Sequence, residues 1–304
     1  MLLRILGSAA GGGFPQWNCY CGNCRAARAG DPRARPRSQS SLAVRAAGGP
    51  WFLVNASPDL RQQIESLHEE PQRAPRASPI AGVLLTDGEV DHAAGLILLR
   101  ESSEPVRVYG TDAIRRALTE GYSVLRALDA YAGVDWTPIE PGQRLTLTPA
   151  GAPPLEVEVF EVPGHPPNYF RAAAAEQKGF VVGFTFRDAA TGGVVTYAPA
   201  LGGLSPELLA RFESSDCILV DGTFWRDDEL LALGAGTRTA RAMGHLPLSG
   251  PGGLIEWLGG LRRPRKILVH INNTNPILIE GAPERRSVEA AGVEVAHDGM
   301  TIEL

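Results

Sequence analysis

Residues 81–95 read AGVLLTDGEVDHAAG. AGVLLT (81–86) is short and continuously apolar, the pattern of a strand buried on both faces. AAGLILLRE (93–101) reads as a helix. Between them lie Asp87, Glu89, Asp91 and His92. Side chains leaving the end of a strand and the first turn of a helix converge on one point. Acids at a helix N-terminus are favourable through capping and the helix dipole alone, so Asp87 and Glu89 are open to that reading as much as to a metal. Asp91 and His92 read as metal ligands, because a partner for them lies far along the chain.

That partner is His270. In KILVHINNTNP it ends a buried strand and opens a polar loop, a common place for a ligand. Asp91, His92 and His270 together offer two imidazoles and one carboxylate. This is the ligand set of non-haem Fe(II) oxygenases, which leaves positions open for oxygen and substrate; zinc hydrolases favour histidine-rich sets. Asp221, in CILVDGTFWRDD, sits at another strand end and reads as a ligand, as an acceptor behind a ligand, or as a cap. His245 lies in a loop shaped by Gly244 and Pro247, and His165 ends a strand between prolines. His68 and His297 read as structural.

A second metal site is carried by NCYCGNC, where Cys19, Cys21 and Cys24 form C-x-C-x-x-C. Thiolates this close suit one tetrahedral zinc, with Gly22 permitting the tight turn. The fourth ligand must come from a distant segment. Cys217 lies in an apolar strand and reads as core. Phe14 and Trp17 read as packing under this loop ahead of walling a pocket, and RPRS (35–38) as a solvated basic face ahead of an anion contact.

The rest of the chain extends the strand–helix pattern. LLRIL (2–6) is a first strand, and SLAVRAA (41–47) with WFLVNA (51–56) a hairpin. Asp59 caps a helix over 59–68. VRVYG (106–110) and TDAIRRALTEGY (111–122) repeat strand then helix; 121–144 reads as irregular. LEVEVFEV (155–162) alternates as an edge or half-buried strand does. FVVGFTF (180–186) and VVTYA (194–198) form a second hairpin, and Ser205 caps the helix SPELLARFE. CILVDG, KILVHI, VEVAHDG and MTIEL complete the strands, with PGGLIEWLGGL (251–261) a helix. Each strand-rich half ends in parallel strand–helix units, which predicts two mixed sheets sandwiched between helices. PAGAPP (149–154) is the most linker-like stretch but is short, so residues 1–304 are expected to form a single domain, with the zinc-binding loop 11–30 inserted after the first strand. The 304 residues are 44% hydrophobic and carry a net charge of −5, an ordinary globular composition without the basic field that nucleic acid needs. No run is long enough for membrane insertion and the N-terminus lacks a signal-peptide core, so a cytoplasmic location is expected.

T-D-G-E-V-D-H-x-x-G resembles the H-x-H-x-D-H motif of the metallo-β-lactamase superfamily, and PGH (163–165), GHLP and LVHIN resemble its later histidine motifs. Within it the chain is similar, over nearly its whole length, to the family of coenzyme PQQ synthesis protein B. LGSAAGGGFPQWNCYCGNC, SQSSLAV, NASPDLRQQI, VDHAAGLILLRE, VDGTFWRDDE, MGHLPLSGPGG, HINNTNPIL and DGMTIEL carry that resemblance. It implies an α/β fold, the αββα metallo-β-lactamase-like sandwich, and a place in pyrroloquinoline quinone (PQQ) biosynthesis. It implies a structural zinc on Cys19, Cys21 and Cys24; similar phosphodiesterases complete that zinc with a histidine at the position of Asn273. It implies an iron-dependent, oxygen-using hydroxylase of the tyrosine ring in the precursor peptide PqqA, or alternatively a carrier of PQQ or its precursor towards the periplasm. In the tRNA-processing relatives an acid and a histidine donate protons, which implies an acid/base pair of Asp221 and His245. Here Asp87 and Glu89 replace two histidines, and YAPA (197–200) lacks the Gly-Asp whose carboxylate bridges two metals. A two-zinc hydrolytic site is therefore disfavoured, and one metal in a mixed histidine–carboxylate site expected.

Overall fold

The computed structural model describes residues 1–68, 76–148, 151–174 and 177–304. Fourteen strands are described. The first six are β1 (Leu2–Gly7), β2 (Ser41–Arg45), β3 (Trp51–Val54), β4 (Ile80–Leu84), β5 (Val106–Gly110) and β6 (Val134–Pro138). The remainder are β7 (Arg144–Leu147), β8 (Leu155–Glu161), β9 (Val182–Asp188), β10 (Val194–Ala198), β11 (Cys217–Asp221), β12 (Arg265–Val269), β13 (Val293–Val295) and β14 (Thr301–Glu303). They form two seven-stranded sheets, ordered β14-β1-β2-β3-β4-β5-β6 and β13-β12-β11-β10-β9-β8-β7. In the first, β14 to β3 pair antiparallel and β3 to β6 parallel. In the second, β7 to β10 pair antiparallel and β10 to β13 parallel. The two halves thus share one topology, and β14 returns to complete the first sheet.

The burial pattern gives the layers. Along β11, Cys217 and Leu219 join the core that both sheets share, with Phe184 and Tyr197. Ile218 and Val220 point the other way, onto Leu208, Phe212, Leu254 and Val288 of three helices. Strands buried on both faces must be apolar throughout, which is why CILV and KILV read as unbroken runs. Helix Pro206–Ser214 begins as its sequence requires: Pro206 at the first position, and Ser205 Oγ accepting from the Leu208 amide at 3.2 Å. It buries Leu208 and Phe212, together roughly 3–6 kcal/mol of apolar transfer.

Three local expectations are corrected. Asp59 does not cap its helix; its Oδ2 accepts from the Gln39 amide at 2.9 Å and fixes the neighbouring loop. The helix expected over 93–101 is α-helical only at Val90–Ala93 and continues as a 3₁₀-helix, Ala94–Glu101. The Gly95 amide donates to Ala56 O at 2.8 Å instead of to its own helix, and a Cβ on Gly95 would collide with the carbonyl of Ser57. Residues 121–144 hold a helix, Val124–Asp129, and the edge strand β6, in which Val134 and Trp136 pack on the core and Asp135 is exposed. Of the two readings of β8 the half-buried one holds: it lies between β7 and β9 with one face on the core and the other largely wet. Part of the linker-like stretch 149–154 lies outside the described residues.

Candidate active site

The parallel strands of both sheets end at one rim, and the polar side chains gather there around a cavity of about 340 Å³. β4 runs into Thr86 and Asp87, and helix Val90–Ala93 supplies Asp91 and His92. The second sheet contributes Asp221 at the end of β11 and His270 one residue past β12. The loop after β1 closes over Asp91: a Cβ on Gly11 would lie 3.2 Å from Asp91 Oδ2, so glycine is what allows the approach.

Asp91, His92 and His270 come together. His270 Nε2 is 3.3 Å from Asp91 Oδ2, His92 Nε2 is 3.9 Å from the same oxygen, and the two rings are 5.0 Å apart. Asp87 does not join them as a donor to the cavity centre. It lies behind His92, whose Nδ1 is 2.7 Å from Asp87 Oδ2, while Asp87 Oδ1 accepts from the Glu89 amide. Asp221 stands in the same relation to His245, at 2.6 Å from Nδ1, and is fully buried with the Leu201 amide and Thr223 as further donors. Each half of the molecule therefore places an acid at the end of its second parallel strand and uses it to grip an imidazole. With Nδ1 engaged, each ring leaves Nε2 free.

The electrostatics follow from burial and these pairs. Burial opposes charge on His92, but Asp87, Asp91 and Glu89 outweigh it and push the imidazole up to about 9. Burial also opposes charge on Asp91, yet His92 and His270 hold it well below the usual carboxylate range. Burial and the neighbouring Asp87 and Asp91 push Glu89 up to about 7. Burial is likewise outweighed by Asp221 at His245, which is raised, and by His245 at Asp221, which is lowered.

The donor set fits a metal ion. His92 Nε2 is buried, the residue being 1% exposed, and has no hydrogen-bond partner among the described residues. A cation between that nitrogen, His270 and Asp91 would satisfy it. Asp221, His245 and His270 also place donor atoms within 4.8 Å of one another, but Asp221 already accepts from four groups.

The Cys19, Cys21 and Cys24 sulfurs lie within 4.8 Å of one another as well. Burial and the neighbouring sulfurs push Cys21 up to about 12, a conflict that a cation relieves. Asn273 Nδ2 is 3.3 Å from Cys24 Sγ, so its amide faces the sulfurs where a fourth ligand would sit. Gly22 is not needed for the turn: its φ is negative and a Cβ there would meet nothing. The turn is a capped helix start, Cys21 Sγ accepting from the Cys24 amide. Trp17 is 83% exposed rather than packed, whereas Phe14 is buried. Arg37 of the supposed solvated RPRS face is buried, donating to Ala296 O and Ser8 Oγ.

His165 is exposed at the cavity wall, and Ala200 of YAPA lines the same space. His68 and His297 stand apart from it. Sequence reasoning missed Thr223, Gly11, Arg171 and Arg238. The first lies two residues after Asp221 in a D-G-T turn, a legible signal; the arginines come from separate loops and carry no pattern.

The comparisons agree with this architecture. A family model described as the β-lactamase superfamily domain matches residues 50–271. Coenzyme PQQ synthesis protein B from Azoarcus sp. strain BH72 is 45% identical over the whole of both chains, and that from Pseudomonas putida strain W619 is 46% identical over the same extent. The crystal structure of Zn²⁺-bound PqqB from Methylobacterium extorquens covers both chains fully, with a TM-score of 0.90 at 43% identity. A diphosphatase of the PhnP family shares the fold at TM-score 0.67 and 19% identity, over all of this chain and 97% of that one.

Proposed function

The chain belongs to the family of coenzyme PQQ synthesis protein B, within the β-lactamase superfamily, and from that premise we propose that it is a mononuclear iron oxygenase that hydroxylates the tyrosine ring of the PqqA-derived precursor. The observation that carries this reading is the convergence of Asp91, His92 and His270, with the partnerless Nε2 of His92 among them. Two imidazoles and one carboxylate suit iron(II) and leave coordination positions for oxygen and substrate. Ala200, of the YAPA segment that lacks the Gly-Asp of the superfamily pattern, lines this cavity without a carboxylate, which argues against a two-metal hydrolase.

An iron(II) ion held there by Asp91, His92 and His270 would supply the oxygen chemistry, a hydroxylation that places one atom of O₂ in the ring and the other in water at the expense of two electrons and two protons from an external reductant. The chain's residues set the stage. Asp87 holds the His92 ring. Asp221 is not a catalytic acid, being buried behind His245; it positions that ring and stabilises its protonated form. His245 lines the cavity and is the group that exchanges a proton with the phenol at Nε2. Cys19, Cys21 and Cys24 would hold the structural zinc, and the Asn273 amide, which faces these sulfurs, would offer its oxygen as the fourth ligand.

Arg171 and Arg238 line the same cavity, and this favours a second reading, a carrier that holds the carboxylates of PQQ or its precursor without catalysis. One experiment separates them. Anaerobic protein with its cysteine site filled is given Fe(II), Zn(II) or nothing, then precursor peptide, reductant and O₂, and the peptide is weighed. Addition of one oxygen atom with Fe(II) alone supports the oxygenase. Absence of product in all three, with tight PQQ binding in each, supports the carrier. The helices described contain none long and apolar enough to cross a membrane; we place the protein in the cytoplasm, with PQQ-pathway proteins as its partners.

A further inference from the structure

One wall of the cavity comes from an arm, residues 163–171, that belongs to neither the proposed ligands nor the proposed acid/base pair. Its Gly164, His165, Asn168 and Arg171 line the space. The arm is neither helix nor strand and most of it is exposed, so side-chain contacts decide where that wall stands. Its root is tight: the Gly202 amide donates to Pro163 O at 2.8 Å, and a Cβ on Gly164 would lie 2.5 Å from Val181 Cγ2. At the tip Phe170 is buried, its ring 6.1 Å from that of Phe180 and 5.6 Å from the guanidinium carbon of Arg116.

Tyr169, beside it, makes a different contact. Its hydroxyl donates to the carbonyl of Gly88. Gly88 lies between Asp87, which holds the His92 ring, and Glu89, which lines the cavity. Two glycines from separate segments make room for the tip. A Cβ on Gly88 would stand 3.3 Å from Tyr169 Oη, and one on Gly121 2.8 Å from Tyr169 Cδ2 and 2.9 Å from Phe170 Cδ2. Gly121 ends a single π-turn, Ala117–Gly121, an irregularity that helices often carry at functional sites. Arg238 Nη1 also donates to Asn168 Oδ1 at 3.3 Å, but in solvent, so the part-buried Tyr169 bond is the firmer tie.

We propose that Tyr169 is a positioning residue for the substrate: its hydroxyl registers the arm, and with it the cavity wall, on the turn that carries Asp87. The consequence for substrate rests on the cavity being the substrate site, as proposed above; the latch does not. Phe170 anchors the tip by burial, so loss of the Tyr169 hydroxyl loosens the wall without releasing it. One neutral hydrogen bond is lost, which sets the scale of the effect at about 2- to 10-fold. The metal site is spared, because the His92 ring is held by Asp87 and not by the arm.

The test compares Tyr169→Phe, which keeps the ring on Gly121, with Tyr122→Phe, which removes a hydroxyl from the neighbouring ring, 6.1 Å away, and leaves the latch intact. Hydrogen exchange reads the arm. The Phe170 amide, bonded to Pro167 O, and the Ala173 amide, bonded to Phe170 O, are expected to exchange about 2- to 10-fold faster in Tyr169→Phe and at the parent rate in Tyr122→Phe. Calorimetry on anaerobic, Co(II)-loaded protein reads binding of PQQ and of the precursor peptide, each expected to weaken by the same factor in Tyr169→Phe alone. In turnover KM rises by that factor while kcat holds, and chelator competition gives an unchanged Co(II) affinity. Parent exchange rates or parent ligand affinities in Tyr169→Phe, a lowered Co(II) affinity there, or a Tyr122→Phe protein equally altered overturn the proposal. A parent that binds neither PQQ nor peptide overturns the reading of the cavity instead, and the exchange rates still decide the latch.

Discussion

Replacing Asp87 by Asn removes the charge that grips His92 while keeping the shape. In the site without its metal, His92 is raised from 6.5 to about 9, equivalent to roughly 3 kcal/mol of preference for the protonated ring over its unfolded reference. A raised imidazole stabilises the fold fully below about pH 6.5, and that stability is lost as pH rises through about 9. Burial works against that rise, and Asp87 leads the residues that overcome it, at 2.7 Å with Asp91 at 3.9 Å, so removing its charge lowers the imidazole and takes away much of this pH dependence. The assay is urea unfolding of protein stripped at the active site but zinc-loaded at the cysteines, at pH 6.5 and about 9.5. The parent is expected to lose roughly 3 kcal/mol between them and Asp87→Asn clearly less. Identical pH dependence in the two proteins refutes the assignment of Asp87 as the partner of His92. With metal bound, His92 is a neutral ligand and the slope from this pair disappears.

Three further substitutions test the surroundings. Cys24→Ser should release zinc and lower stability by about 4 kcal/mol when free zinc stands a thousandfold above the dissociation constant, read by melting with and without added zinc. Gly11→Ala places a methyl 3.2 Å from Asp91 Oδ2, and should weaken the active-site metal about tenfold while sparing the cysteine-bound zinc, measured by chelator competition. Arg171→Ala with Arg238→Ala should weaken binding of a carboxylated substrate or of PQQ by roughly 1.5–3 kcal/mol for each charged hydrogen bond lost, seen by calorimetry, with metal content unchanged.

The fold was legible because its strands are buried on both faces: AGVLLT, CILVDG and KILVHI show unbroken apolar runs, and the polar residues that end them mark the rim of the site. Asp91, His92 and His270 stood out since each departs from such a run. What the sequence hid lies in contacts between segments. Asp87 and Asp221 look alike from either side of a strand end, and only the positions of His92 and His245 show that both stand behind imidazoles. Gly95 looks helical until its amide is found bonded to Ala56. Thr223 looks like a turn residue until His270 is placed beside it, 47 positions away. Arg37 reads as a surface charge because nothing local shows that Ala296 and Ser8 enclose it.

On the function proposed above, the chain holds two separate metals, an iron at Asp91, His92 and His270 and a zinc at the cysteines. Elemental analysis of His270→Ala after anaerobic loading with both ions tests it most directly. The expected protein keeps its zinc, takes up no iron and adds no oxygen to the precursor peptide, whereas the parent holds both metals. Loss of both metals together, or iron bound and peptide hydroxylated as in the parent, contradicts the account.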